Sequence, residues 1–231
     1  MGGITDNLYV IHSYTSSVRN IYMQRKTWGT FRPHLLIILG LLWGMGVGTG
    51  LYVLLDYEMT PGQGGEAPEV WPVQSRIPRH PAVPTLVMLM HPRCSCSRAS
   101  LQELSRLLVR FHEHVSAAIL FYSPDGVEPN WEKTDLWSTA TSLPGVRVVR
   151  DINGAEAKLF RVYTSGYTVL YDAAGHLLFH GGITSSRGHS GDNAGSQAIA
   201  ALLTHQLEDQ QRTPVFGCDV FDATETYKDL L

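Results

Sequence analysis

The longest apolar run in the chain is LLIILGLLWGMGVGTGLYVLL, Leu35 to Leu55, with no charged residue. At a helical rise of 1.5 Å per residue it would be about 30 Å long, matching the hydrocarbon core of a bilayer. The pattern predicts one transmembrane helix over 35–57. A cleaved secretory leader fits less well, because the run is long and begins far from the N-terminus. Before it, residues 1–34 form a polar tail with scattered aromatics and no sustained period. After it, residues 58–84 hold Pro61, Pro68, Pro72, Pro78, Pro81 and Pro84, the composition of a semi-rigid linker.

Beyond Pro84 the pattern alternates between two periods. TLVMLMH (85–91) is almost wholly apolar, as in a strand buried on both faces. Leu101, Leu104, Leu107, Leu108 and Phe111 recur at helical spacing within 97–114, and Ser97 is a candidate cap. VSAAILFYS (115–123) and GVRVVRD (145–151) predict two further strands, separated by a loop region with a short helix around Trp131 to Trp137. A helix follows over 154–163, with Ala157, Leu159 and Phe160 inward. YTVLYD and HLLFHGG predict an antiparallel hairpin closed by a short turn containing Gly175. A last amphipathic helix spans 196–210, with Ile199, Leu202, Leu203 and Leu207 inward and Asp192 or Asn193 as its cap. Strands alternating with helices predict a three-layer α/β/α domain with a mixed sheet over 85–210. Residues 211–231 form a C-terminal tail containing Cys218, an odd thiol that could reach the cysteine corner as a third redox partner or ligand, or be buried beside Val215, Phe216 and Phe221.

Charge orients this arrangement. Arg19, Arg25, Lys26 and Arg32 precede the apolar run against Asp6 alone, whereas Asp56, Glu58, Glu66 and Glu69 follow it before Arg76. Counting positive residues places the N-terminal tail in the cytoplasm and the domain outside it, in the periplasm of a bacterial inner membrane. Gly40, Gly44, Gly46, Gly48 and Gly50 form small-xxx-small spacings, a candidate face for a membrane-protein partner. Net charge is −3, so no basic excess points to nucleic acid.

The chemically pointed stretch is HPRCSCSRASLQEL, 91–104. It places Cys94 and Cys96 between the first strand and its helix, the corner where α/β sheets gather binding sites. A thiol at a helix N-terminus has its thiolate stabilised by unpaired N–H groups, and Arg93 and Arg98 add positive charge. Three readings follow: a redox pair, a soft-metal site, or two small buried residues. A C-x-C disulfide closes a tight ring and strains the backbone. Thiolates could instead bind Cu(I), with His91, His180, His189 or Cys218 completing the ligand set.

HPRCSCSRASLQEL and HGGITSSRGHSGDNAG resemble the bacterial proteins called RedB, and residues 84–208 resemble the thioredoxin-like superfamily, nearest its membrane-tethered thiol oxidoreductases. The resemblance implies a thioredoxin-like domain in which Cys94 attacks and Cys96 resolves, with His91, Arg93 and Tyr167 supporting. It implies no resident cofactor, and protein thiols or disulfides as partners. Where the superfamily places a cis-proline facing the cysteines, this chain has Gly166-Tyr167-Thr168. That departure favours metal binding, with Cu(I) as the alternative cofactor and Cys94, Cys96, His180 and His189 as candidate ligands. A copper-binding or assembly factor is therefore the second expectation, and a non-catalytic subunit of a membrane complex the third. No phosphate loop, dinucleotide fingerprint or H-E-x-x-H motif occurs, which removes the enzyme classes built on them.

Overall fold

The computed structural model describes residues 33–206 and 210–221. The N-terminal tail before Pro33, Leu207 and the last ten residues lie outside them. The chain divides between Leu55 and Asp56 into two units. The first carries most of α1 (Pro33–Met59), 27 residues whose most apolar stretch has mean hydropathy 1.9, long and apolar enough to cross a membrane. Its side chains are exposed throughout the apolar window.

The second unit is built on a five-stranded sheet. Its elements are β1 (Thr85–Met90), α2 (Ser97–Phe111), β2 (Ser116–Ser123), α3 (Asp135–Ser142), β3 (Val146–Ile152), α4 (Ala155–Leu159), β4 (Tyr167–Tyr171), β5 (Leu177–Gly182) and α5 (Ala194–Leu203). The strand order is β3-β2-β1-β4-β5. β1 pairs parallel with β2 and antiparallel with β4, so it lies at the centre and the sheet is mixed. This is a thioredoxin-like three-layer α/β/α fold.

Strand alternation divides the core. Leu86, Met88 and Met90 point into one cluster with Leu104, Leu108 and Phe111 of α2 and Ile199 and Leu203 of α5. Val87 and Leu89 point into the other, with Ala157 and Phe160 after β3 and with Val215, Val220 and Phe221 of the tail. Every residue of β1 is buried, which is why its sequence shows no alternation.

Several helix boundaries move. α2 stops at Phe111 rather than 114, and the loop helix lies over 135–142 rather than around 131–137. Ser97 is the first helical residue rather than a cap, since Cys96 holds the cap position without a side-chain bond. α4 is one short turn. It is held because the buried Asp151 carboxylate accepts from the N–H groups of Glu156 and Ala157, at 2.8 and 3.0 Å. Asn193 caps α5, its side chain accepting from Ser196 N at 2.7 Å. The hairpin turn closes as expected, with Gly175 at φ +95° and its N–H on the Asp172 carbonyl.

Both segments flanking the regular elements pack on the sheet. Trp71 stands edge-on to Phe160 and Tyr171, at 5.0 and 5.3 Å between ring centroids, and Ile77 is buried. Val70 bridges to His176 beside β5, so much of the proline-rich stretch is part of the fold. The stretch around residues 211–221 runs past β5 and then across the end of β4, burying Val215, Phe216, Val220 and Phe221.

Phe160 is 0 % exposed between Trp71 and Tyr171. Truncation to alanine removes a ring from a dry layer and is expected to cost about 3–5 kcal/mol, read as a lower denaturation midpoint with an unchanged slope.

Candidate functional site

Three elements meet at the carboxyl end of β1. His91 and Pro92 end the strand. The turn 93–96 leads into α2, with Cys94 N donating to His91 O and Ser97 N to Cys94 O, both at 3.2 Å. The third element is the tail. Ser165 N donates to Cys218 O and Val220 N to Tyr163 O, both at 2.9 Å, with Thr164 and Asp219 as the antiparallel pair between them. The approach is close. A Cβ on Gly217 would lie 1.9 Å from the Ser165 carbonyl, so only glycine lets the tail sit this near.

The result is a cluster of three thiols, all free, whose sulfurs lie within 4.8 Å of one another. Cys94 is 3 % exposed, Cys96 9 %, and Cys218 is half-buried. Cys94 Sγ and Cys218 Sγ are hydrogen-bonded at 2.8 Å. Either sulfur can hold the proton, and the surroundings decide which. The Cys218 thiol and the side-chain and backbone donors of Ser97 pull the Cys94 thiol down to about 4, against the opposing effect of burial. Cys218 is pushed up, first by its hydrogen bond with Cys94, then by burial and the Cys94 charge. Cys96 is also raised, by burial first and then by the Cys94 charge. Of the three thiols, Cys94 is thus the one favoured to ionise first.

A relay of donors reaches Cys94 from behind. His91 N–H donates to Ser165 Oγ at 2.8 Å, so the Ser165 hydroxyl hydrogen is available to Ser97 Oγ, 2.5 Å away. The Ser97 hydroxyl in turn donates to the Cys94 thiolate. Either hydroxyl of the Ser97–Ser165 pair can be the donor, and the connected bonds link the end of β1 to the Cys94 sulfur.

The residues singled out by sequence divide into those that gather here and those that do not. Cys94, Cys96 and Cys218 come together. His91 is adjacent. Burial, foremost, lowers its pKa, while the Cys94 thiolate opposes that shift; a neutral imidazole follows, stacked on Tyr122 and edge-on to Trp131. Arg93 lies over the Trp131 ring, 4.8 Å from its centroid. Arg98, expected to add positive charge, gives its guanidinium to Asp135 at 2.6 Å. Tyr167 does not turn to the sulfurs, because its hydroxyl donates to Gly65 O and also meets His180 Nδ1 at 2.8 Å. His180 is thereby engaged by Tyr167 rather than joined to the thiols. His189 is exposed, with Nδ1 on the Arg187 carbonyl. Among the described residues, the group that could hold a metal is the three thiols, without either histidine. Three sulfur donors suit a soft monovalent ion such as Cu(I).

Sequence reasoning missed Ser97 and Ser165 as partners, and Arg187. Gly166 begins the Gly166-Tyr167-Thr168 stretch that stands where the resemblance implies a proline. Gly166 takes φ +88°, with its N–H on Leu89 O at 2.7 Å. Arg187 bonds the Gly217 carbonyl, and its charge favours the thiolates of Cys96 and Cys218. Spacing carried no signal for Arg187, which reaches the site from the β5–α5 loop.

No family model matches the chain, and no curated protein does. Solved structures do. A hypothetical protein from Sinorhizobium meliloti 1021 superposes with a TM-score of 0.52 at 15 % identity, over 71 % of this chain and 96 % of that one. An uncharacterized conserved protein from Geobacillus kaustophilus gives 0.50 at 16 % identity, over 71 % and 94 %. The exposed lipoprotein thioredoxin of Streptococcus pneumoniae superposes at 0.41 with 15 % identity, over 61 % and 99 %. At these identities the first two establish the fold.

If the relay tunes Cys94, Ser165→Ala will move its alkylation inflection above about pH 4, since a thiolate deprived of donors is less favoured. The measurement is the iodoacetamide rate at Cys94 against pH. An unchanged inflection would separate Ser165 from the thiolate.

Proposed function

We propose that the chain is a membrane-anchored thiol–disulfide oxidoreductase of the bacterial inner membrane, with Cys94 as its attacking thiol. Residues 1–34 lie in the cytoplasm, 35–57 cross the lipid and the domain stands in the periplasm, as the distribution of Arg and Lys before α1 supports. The likeness of 91–104 and 180–195 to RedB proteins supports the same class. The observation that carries the reading is the placement of Cys94: before the start of α2, with the Cys218 sulfur 2.8 Å away and the Cys218 and Ser97 donors pulling its thiol down. Thiolate character governs the rate of attack on a disulfide, and a neighbouring thiol allows the mixed disulfide to be released. Its partners are protein thiols or disulfides.

The test is capture of glutathione from oxidised glutathione by the full chain in detergent. Cys94→Ser is expected to abolish the adduct and Cys96→Ser to leave it. Capture undiminished in Cys94→Ser would overturn the assignment.

A second reading is Cu(I) handling, favoured by three soft sulfur donors within 4.8 Å. Protein purified without oxygen is expected, on this reading, to retain stoichiometric copper that is lost in Cys94→Ser. Retention of none removes it.

A further inference from the structure

The tail brings a third sulfur to Cys94 by a different route from the C-x-C motif. Residues 218–220 pair antiparallel with 163–165 through two main-chain bonds. They are held by Val215 and Phe216 before them, Val220 within them and Phe221 after them, all buried. Phe221 stands edge-on to Tyr122 and Tyr163, and a Cβ on Gly154 would meet its ring. Burying each such side chain contributes about 1.5–3 kcal/mol, so the segment is a resident part of the domain. Because it occupies the main-chain edge at 163–165, a partner cannot add its own strand there.

Cys96 is placed differently. It has helical dihedrals, φ −64° and ψ −31°, and its carbonyl accepts from Ala99 N at 3.1 Å. Its sulfur also lies within 4.8 Å of the Cys94 sulfur, but a disulfide across one residue closes a tight ring and strains the backbone, whereas Cys218 stands 2.8 Å from Cys94 and comes from a separate segment.

We propose that Cys218, seated on Cys94 by the antiparallel pairing of 218–220 with 163–165, is the resolving thiol, so that the redox pair is Cys94–Cys218 rather than Cys94–Cys96. The proposal rests on Cys94 being the attacking thiol. Cys94 thiolate attacks one sulfur of a substrate disulfide. A Cys94–substrate bond forms, the substrate S–S bond breaks, and one substrate thiolate leaves. Cys218 gives its proton to that thiolate, and its sulfur attacks Cys94 Sγ. The Cys94–Cys218 bond forms as the mixed disulfide breaks, releasing the second substrate thiolate. The substrate gains two electrons and the two cysteines lose two; an external dithiol returns the pair to its reduced form. Cys96 is then a buried neighbour whose loss leaves the cycle running.

Oxidised glutathione is the probe, with the full chain in detergent, quenching by alkylation, and peptide mapping without reductant. Wild type and Cys96→Ser are expected to yield a Cys94–Cys218 cross-linked peptide. Cys218→Ser, nearly isosteric within the strand, is expected to hold the Cys94–glutathione adduct at least about tenfold longer than wild type. A Cys94–Cys96 link as the main wild-type product, or release in Cys218→Ser as fast as in wild type, would overturn the proposal while leaving Cys94 as the attacking thiol. If no variant forms a Cys94 adduct, the underlying reading fails with it. Should Cys218→Ser unfold, the identity of the wild-type cross-link decides alone.

Discussion

Ser165 is the joint on which the site depends. Its N–H donates to the Cys218 carbonyl, holding the tail. Its hydroxyl receives the His91 N–H and meets Ser97 Oγ, tying the end of β1 to the start of α2. The next residue, Gly166, donates to Leu89 O and begins the approach to β4. One backbone position thus links three segments far apart in sequence. The hydroxyl matters as much as the backbone, because an apolar side chain there would leave a buried N–H and Ser97 without their partner.

The sulfur chemistry follows from that joint. A buried thiolate is costly unless donors surround it. Cys94 has the Cys218 thiol, foremost, and the Ser97 donors, and these outweigh burial. The same contact raises Cys218, since two adjacent sulfurs do not both ionise readily. The pair therefore holds a nucleophile and a proton at one place, which is what both steps of disulfide exchange need. Arg187, anchored on the Gly217 carbonyl and lying over the Tyr57 ring at 4.8 Å, adds positive charge beside the other two sulfurs without neutralising Cys94 directly.

The sheet supplies the rigidity behind this corner. β1 is buried on both faces and hydrogen-bonded on both edges, so its carboxyl end is fixed. The tail and the segment 65–77 cover the face that α2 and α5 do not, completing the third layer with Trp71, Val215, Val220 and Phe221 around the short α4. A five-residue helix alone could not cover that face.

Local pattern determined a good deal. The apolar run at 35–55, the doubly buried β1, the leucine stripe of α2, the hairpin at Gly175 and the Asn193 cap are all written in spacing, because each depends on residues a few positions apart. The C-x-C corner was legible for the same reason: a strand, a polar turn and a helix follow one another directly. Tertiary structure decided which sulfur faces Cys94. Cys218, Ser165 and Arg187 reach it through main-chain pairing and close glycine contacts between distant segments, and such pairings leave no periodic trace in sequence. It also decided that Tyr167 and His180 bond each other rather than the site, since the face a β4 side chain points to follows from sheet register, which a linear reading could not supply.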